Sequence, residues 1–322
     1  MQIISGIDGD IHTAVAIGKF DGMHLGHRKL LEEISSHREE GLHSLVFTFE
    51  SPVMDFFTGE KSRVLTTNDE KLRLFEEAGV EFVYIMPVNK DTVSYEPEAF
   101  VKDMLVTRLH ASLIAAGADL SFGDKGAGNM ALIKRLSSEH GGEPCYRAVE
   151  IDKVMYGDQE ISSTLVRDAV ASGDMERAGA MLGRPYSIYG RVEHGRMLGR
   201  TIDMPTANLI PDEDKLMPPY GVYRSEVYVG GRKLKGITNI GVKPTVKDDD
   251  AVTVETHIPG FEEDIYGQDI EVRLLSFIRP EMKFDSIDML KTQIKADILK
   301  IADPVSESDA VNFAPSDSEE RI

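Results

Sequence analysis

Near the start of the chain an apolar run passes, through a stretch rich in glycine, into the beginning of an amphipathic helix. That junction constrains the fold more than any other part of the sequence. Ala14, Val15, Ala16 and Ile17 read as a buried strand. Leu30, Leu31 and Ile34 recur at helical spacing after it. Between them stand Gly18, Phe20, Asp21, Gly22, His24, Gly26 and His27. Glycine lets the backbone approach a ligand closely and adopt positive φ. A helix N-terminus offers free N–H groups and partial positive charge, which suit phosphate. His24 and His27 are three apart and share a face of the first turn. Two imidazoles there can donate to phosphate oxygens as charge develops at phosphorus. Taken alone, an H-x-x-H pair would be a surface turn or half of a metal site, but no third ligand follows at useful spacing.

The strand–helix alternation continues. Apolar runs at 44–48, 82–85, 113–116 and 146–151 read as strands. Thr67 and Glu70 frame a capping box before Leu72, Phe75 and Ala78. Pro97 opens a helix whose apolar face is Phe100, Val101, Met104 and Leu105, and Leu132, Ile133 and Leu136 mark another. Alternation with nearly continuous apolar strands predicts a doubly wound α/β domain with a parallel sheet. Ligands of such sheets bind at the carboxyl ends of the strands. Asp119 follows the fourth strand, at such an end. The hydroxyls of Ser162, Ser163 and Thr164 cap a later helix that carries Arg167 one turn in.

Beyond Gly183, Arg184 and Pro185 the pattern changes. Strands broken by Gly, Pro and Asp, such as 221–229 and 270–275, predict a small antiparallel β-barrel. A last helix over 286–300 carries Ile287, Leu290, Ile294 and Ile298 on one face. The expected division is 1–184 for the α/β domain, 185–303 for the barrel and 304–322 for an acidic, disordered tail. Within the barrel, Thr206 and Asn208 are two apart; in a strand they share a face and could hold a cation beside phosphates.

Three properties narrow the function. The net charge of −19 argues against a general nucleic-acid binder. Cys145 is the only cysteine, so neither an intrachain disulfide nor a cysteine-based zinc site is available. The first residues lack the pattern of a signal peptide, and no apolar run approaches the ~20 residues of a membrane span. The expectation is a cytoplasmic protein acting on small molecules, without membrane or nucleic-acid partners. Oligomeric state stays open.

The string from Gly18 to His27 resembles the G-x-F-D-G-x-H-x-G-H element of nucleotidyltransferases, in the form carried by bacterial bifunctional riboflavin kinase/FAD synthetases. Residues 117–123 resemble that family's G-x-D-F-x-F-G, and 161–167 its I-S-S-T-x-x-R. Residues 195–208 resemble the G-R-x-x-G-x-P-T-A-N motif of riboflavin kinases. Further likenesses are N-I-G-x-x-P-T at 239–245, V-E-x-H at 254–257, D-L-Y-G at 264–267 and R-P-E-x-K-F at 279–284. Two positions differ: Asp203 stands where the family usually has glycine, and Ser51-Pro52 follows Glu50 where it has P-H-P.

The resemblance implies phosphorylation of riboflavin to FMN with Mg-ATP, then adenylylation of FMN to FAD. It implies catalytic roles for His24, His27 and Glu255. It places nucleotide or flavin contacts at Gly18, Phe20, Asp21, Gly22, Gly26, Asp119, Ser163, Thr164, Arg167, Gly199, Arg200 and Asn208, and Mg²⁺ at Thr206 and Asn208. Two other readings remain: a monofunctional FAD synthetase with a flavin-binding barrel, and a non-catalytic flavin or nucleotide sensor. FMN production from riboflavin separates the first of these from the bifunctional enzyme.

Overall fold

The structure, a computed structural model, describes residues 1–138, 145–193, 206–243 and 251–302. Gly199, Arg200, Asp203, the Pro244-Thr245 pair and the 304–322 tail lie outside the described residues.

Among the described residues six parallel strands form the first sheet: β1 (Gln2–Ile3), β2 (His12–Ile17), β3 (Leu42–Phe49), β4 (Phe82–Met86), β5 (Ala111–Gly117) and β6 (Arg147–Ile151), ordered β1-β4-β3-β2-β5-β6. The chain winds outward from β2 through β3 to β4, then returns to lay β5 on the other side of β2. The winding therefore reverses between β2 and β5, where a ligand crevice opens beyond the strand ends. Alternate residues of β2 serve opposite faces, as the pleat requires. Ala14 and Ala16 pack with Leu30, Leu31 and Ile34 of α1 (Leu25–Ser36); Val15 and Ile17 pack with Phe47, Phe100 and Leu105.

Three details depart from the sequence pattern. β1 is two exposed residues held to β4 by pairing alone, too short to show periodicity. A small hairpin joins β7 (Met155–Tyr156) to β8 (Gln159–Glu160) ahead of the Ser163 helix. The segment Phe100–Arg108, expected as an α-helix, is π-helical after one α-helical turn, with the Leu109 N–H donating to the Met104 carbonyl at 3.0 Å. Its apolar residues still face the core.

The second sheet holds β9 (Tyr186–Arg191), β10 (Thr206–Leu209), β11 (Gly221–Val229), β12 (Arg232–Lys243), β13 (Ala251–His257) and β14 (Asp269–Pro280). Its order is β10-β13-β12-β11-β14-β9, every pairing antiparallel. The Glu193 N–H donates to the Asn208 carbonyl at 2.8 Å, so the two edge strands meet and close a barrel. The helices Ser163–Ser172 and Met175–Leu182 share one apolar core with this barrel. Val170, Met181 and Leu182 lie in the same buried cluster as Tyr223, Val272 and Leu274. The barrel is thus packed against the α/β domain through those helices. No helix among the described residues is long and apolar enough to cross a membrane.

Candidate active sites

The first site lies in the crevice between the ends of β2 and β5. After β2 the backbone winds through positive φ at Phe20 (52°), Gly22 (83°) and Met23 (45°), and His24 becomes the N-cap of α1. Positive φ is uncommon for non-glycine residues, so this loop is held by its neighbours. Phe20 is fully buried, edge-on to Phe75 at 5.3 Å between ring centroids, and supports the His27 ring at 5.1 Å. It lies beneath the cleft and does not line it. Asp21 accepts from the Leu65 N–H at 2.8 Å, from the Thr66 N–H at 3.1 Å and from the Arg167 guanidinium. The Gly22 N–H donates to the Thr66 hydroxyl at 2.9 Å. Asp21 and Gly22 therefore fasten the loop. The Ser163 hydroxyl completes the clasp by donating to the Asp21 carbonyl at 2.8 Å.

His24 and His27 stack at 3.8 Å between ring centroids. A Cβ at Gly26 would lie 3.1 Å from the His24 ring, tighter than ordinary contact, so glycine there leaves the stack its room. Burial lowers the His24 pKa to about 4, with Asp119 and Glu160 opposing. Burial also pushes His27 well below its ordinary value, and His24 adds to that. Both rings are therefore neutral at physiological pH. Among the described residues neither Nδ1 has a hydrogen-bond partner. Buried polar atoms are normally satisfied, so these two stand out in a cleft of about 330 Å³ also lined by Gly18, Lys19, Gly26, Asp119, Ser163 and Thr164. A second cleft of about 760 Å³ shares Lys19, Phe49, Ser163 and Thr164 with the first and adds Asn68, Lys71 and Arg167. The structure therefore joins His24, His27, Gly18, Gly26, Asp119, Ser163 and Thr164 around one cleft, and sets Arg167 on its neighbour. Lys19 and Lys71, which no motif singled out, put cationic side chains beside Arg167.

The second site is on the barrel. Asn208 lies opposite Glu255 in the β10–β13 pairing, and Asn239 lies opposite Glu255 in the β12–β13 pairing. Directly opposed residues share a face, so Asn208, Glu255 and Asn239 form a row across three strands. The register is pinned from inside. Thr256, fully buried, hydrogen-bonds Thr238 at 2.8 Å, and Thr238 hydrogen-bonds Ser225 at 2.8 Å. With Thr256 held inward, the pleat sends Glu255 outward. Thr206 is on the same face as Asn208 and also borders a cavity of about 420 Å³ lined by Val192, Phe261, Asp264 and Tyr266. Asn239 donates to the Glu281 carboxylate at 3.2 Å. A Cβ at Gly241 would lie 2.0 Å from that carboxylate, so glycine is what admits Glu281 to this face. Asn239 and Glu281 sit in the quoted N-I-G and R-P-E motifs, but only the strand register brings Asn239 opposite Glu255, and Glu281 joins this face through Asn239.

Comparison with known proteins agrees with this two-part layout. Residues 8–165 match the FAD synthetase family and residues 182–304 the riboflavin kinase family. A bifunctional riboflavin kinase/FMN adenylyltransferase of Listeria monocytogenes is 34% identical over 291 residues, covering 89% of this chain and 91% of that protein. The Escherichia coli K12 protein of that description is 37% identical over 288 residues, covering 88% and 90%. A crystal structure described as a macrolide-efflux protein from Streptococcus pneumoniae superposes with a TM-score of 0.82 at 29% identity, covering 94% of this chain and 99% of that one.

Proposed function

The chain belongs to the bifunctional riboflavin kinase/FMN adenylyltransferase family, and from that premise we propose how its two sites divide the work. Riboflavin is phosphorylated to FMN on the barrel, residues 185–303. FMN is adenylylated to FAD, with release of pyrophosphate, in the α/β domain, residues 1–184. The observation that carries this reading is the pair of separate constellations: stacked neutral histidines at a helix N-terminus, and a carboxylate flanked by two amides on a strand face.

In the first site the FMN phosphate is already anionic, so no protein nucleophile is needed. One of its oxygens attacks the α-phosphorus of ATP, and the bond to the bridging oxygen of pyrophosphate breaks. Neutral His24 and His27 each hold one ring N–H for the charge that builds there, and the free backbone N–H groups of α1 add to it. Ser163, Thr164 and Asp119 position the nucleotide, and Arg167, Lys19 and Lys71 in the adjoining cleft suit the flavin phosphate.

In the second site Glu255 accepts the proton of the ribityl hydroxyl as that oxygen attacks the γ-phosphorus and ADP leaves. The groups facing this region are hard oxygen donors, which fit Mg²⁺. Thr206 and Asn208 would hold the ion beside the ATP phosphates, where it supplies charge neutralisation. Among the described residues no group of three His, Cys, Asp or Glu converges on a metal position. The ion would thus enter with the nucleotide, retaining phosphate and water ligands as Mg²⁺ commonly does. The cytoplasm, where ATP and free flavin are available, is the expected location.

The test is incubation of the chain with riboflavin, ATP and Mg²⁺ followed by chromatography of the flavins. FMN and then FAD are expected in sequence. FAD from supplied FMN with no FMN from riboflavin would leave only the adenylyltransferase.

A further inference from the structure

The loop that carries the histidines is gripped from the link that leads into the barrel. Arg184, which links the Met175–Leu182 helix to β9, donates to the Gly22 carbonyl through Nη1 and Nη2, both at 3.1 Å. Its Nη1 also reaches the Met23 carbonyl at 3.2 Å. These carbonyls belong to the two residues immediately before His24, both at positive φ, and precede the α1 hydrogen-bond ladder. The Arg184 side chain is half-buried where the modules meet. Burial pulls its pKa down to about 10; Glu271 opposes that and Arg28 adds to it, and the group stays charged at neutral pH. Arg28, one helical turn after His24, donates from Nη1 to the Gly183 carbonyl at 3.2 Å.

The opposite side of the loop is tied to the barrel. Asp21 and Gly22 hold on to Leu65 and Thr66. The Leu65 carbonyl accepts from the buried Lys215 ammonium at 2.8 Å, and the Leu216 N–H donates to the Val64 carbonyl at 2.8 Å. The turn before His24 is thus clamped between Arg184 and a strand-like contact with residues 214–216.

Resting on the adenylyltransferase reading of the first site, we propose that Arg184 is a positioning residue for adenylyl transfer. It fixes the Gly22 and Met23 carbonyls from the link between the two modules and so keeps His24 and His27 aimed into the cleft. A planar fork can engage two carbonyls at once; a lysine ammonium is a single point on a flexible stem. Misplacing the imidazoles slightly would weaken contacts made to the transition state more than those made to bound ATP.

The experiment uses the full chain as Arg184→Lys and Arg184→Ala, with the unaltered chain beside them. In Arg184→Lys, kcat for FAD formation from FMN should fall about 10²-fold, the scale for a small misplacement, with KM for ATP changing less than about threefold. Riboflavin phosphorylation in the same preparation should be unchanged. Added guanidinium ion should restore part of the adenylylation lost in Arg184→Ala; should that variant not fold, Arg184→Lys decides alone. An unchanged adenylylation kcat in Arg184→Lys, a parallel loss of kinase activity, or a folded Arg184→Ala insensitive to guanidinium would each overturn the proposal. Failure of the unaltered chain to make FAD would instead overturn the reading on which it rests.

Discussion

Replacing Lys215 by methionine tests how strongly the modules are joined. The Lys215 ammonium meets the Glu70 carboxylate at 2.5 Å, with side chains only 2% and 9% exposed. Lys215 belongs to the barrel half and Glu70 to the helix Asn68–Glu77, so the pair crosses the boundary. Burial pulls the Lys215 pKa down while Glu70 pulls it up, so the pair depends on both partners. Removing one partner of a buried pair typically costs about 3–5 kcal/mol, because the other charge is left buried. Glu70 would still accept from the Thr67 N–H at 2.9 Å and the Tyr189 N–H at 3.3 Å. Those donors favour the lower end of the range, about 3 kcal/mol. Methionine retains most of the side-chain volume, so packing loss is small. Urea unfolding of the parent, Lys215→Met, Glu70→Gln and the double variant measures the coupling. The double variant should be less damaged than the sum of the single changes by more than about 1 kcal/mol, as expected for groups in contact. A loss below about 1 kcal/mol in Lys215→Met, or strict additivity, would refute the assignment of the pair as a buried inter-module tie.

Other outcomes follow from the same geometry. His27→Ala should slow FAD formation from FMN by roughly 10²–10³, the scale for one preorganised donor, while leaving riboflavin phosphorylation intact; equal losses in both assays would contradict this. Glu255→Gln keeps the shape of the kinase site and removes its base, so FMN production should collapse while supplied FMN is still converted to FAD. The folded pKa of His24 is depressed to about 4, below the usual 6.5, so the unfolded chain binds the proton first. Its contribution is complete above pH 6.5 and is lost as pH falls towards 4, by about 3 kcal/mol in total. Urea midpoints at pH 7.5 and 5 should converge in His24→Asn relative to the parent; identical pH dependence would refute the burial argument. Gly241→Ala should weaken the kinase by forcing Glu281 off Asn239, without altering adenylylation.

The parts of this architecture that repeat locally are readable from the chain. The apolar run at Ala14–Ile17 announced a central strand because both faces of its sheet are covered. Thr206 and Asn208 share a face because β10 is extended, as two-residue spacing requires. Beyond Arg184-Pro185 the strands broken by Gly, Pro and Asp pair antiparallel throughout, as their pattern predicts. What stayed hidden depends on distant partners. Asp21 reads as a ligand contact in its motif and lines the second cleft, but the motif does not show that its carboxylate is also engaged by Leu65, Thr66 and Arg167, 44 to 146 residues away. Phe20 reads likewise, but it is buried under His27. Asn239 reaches Glu255 only through strand register, and Arg184 and Lys215 acquire meaning only once the barrel is packed on the α/β domain. Local pattern contains none of these pairings.

The most direct measurement of the central claim follows the phosphorus of ATP into the flavins. Riboflavin is incubated with the chain and Mg²⁺ together with ATP labelled at either the γ- or the α-phosphorus, and FMN and FAD are separated. Two successive transfers at two sites predict that γ-label enters FMN and is carried into FAD, whereas α-label enters FAD alone. FMN without γ-label, or α-label in FMN, would contradict the account.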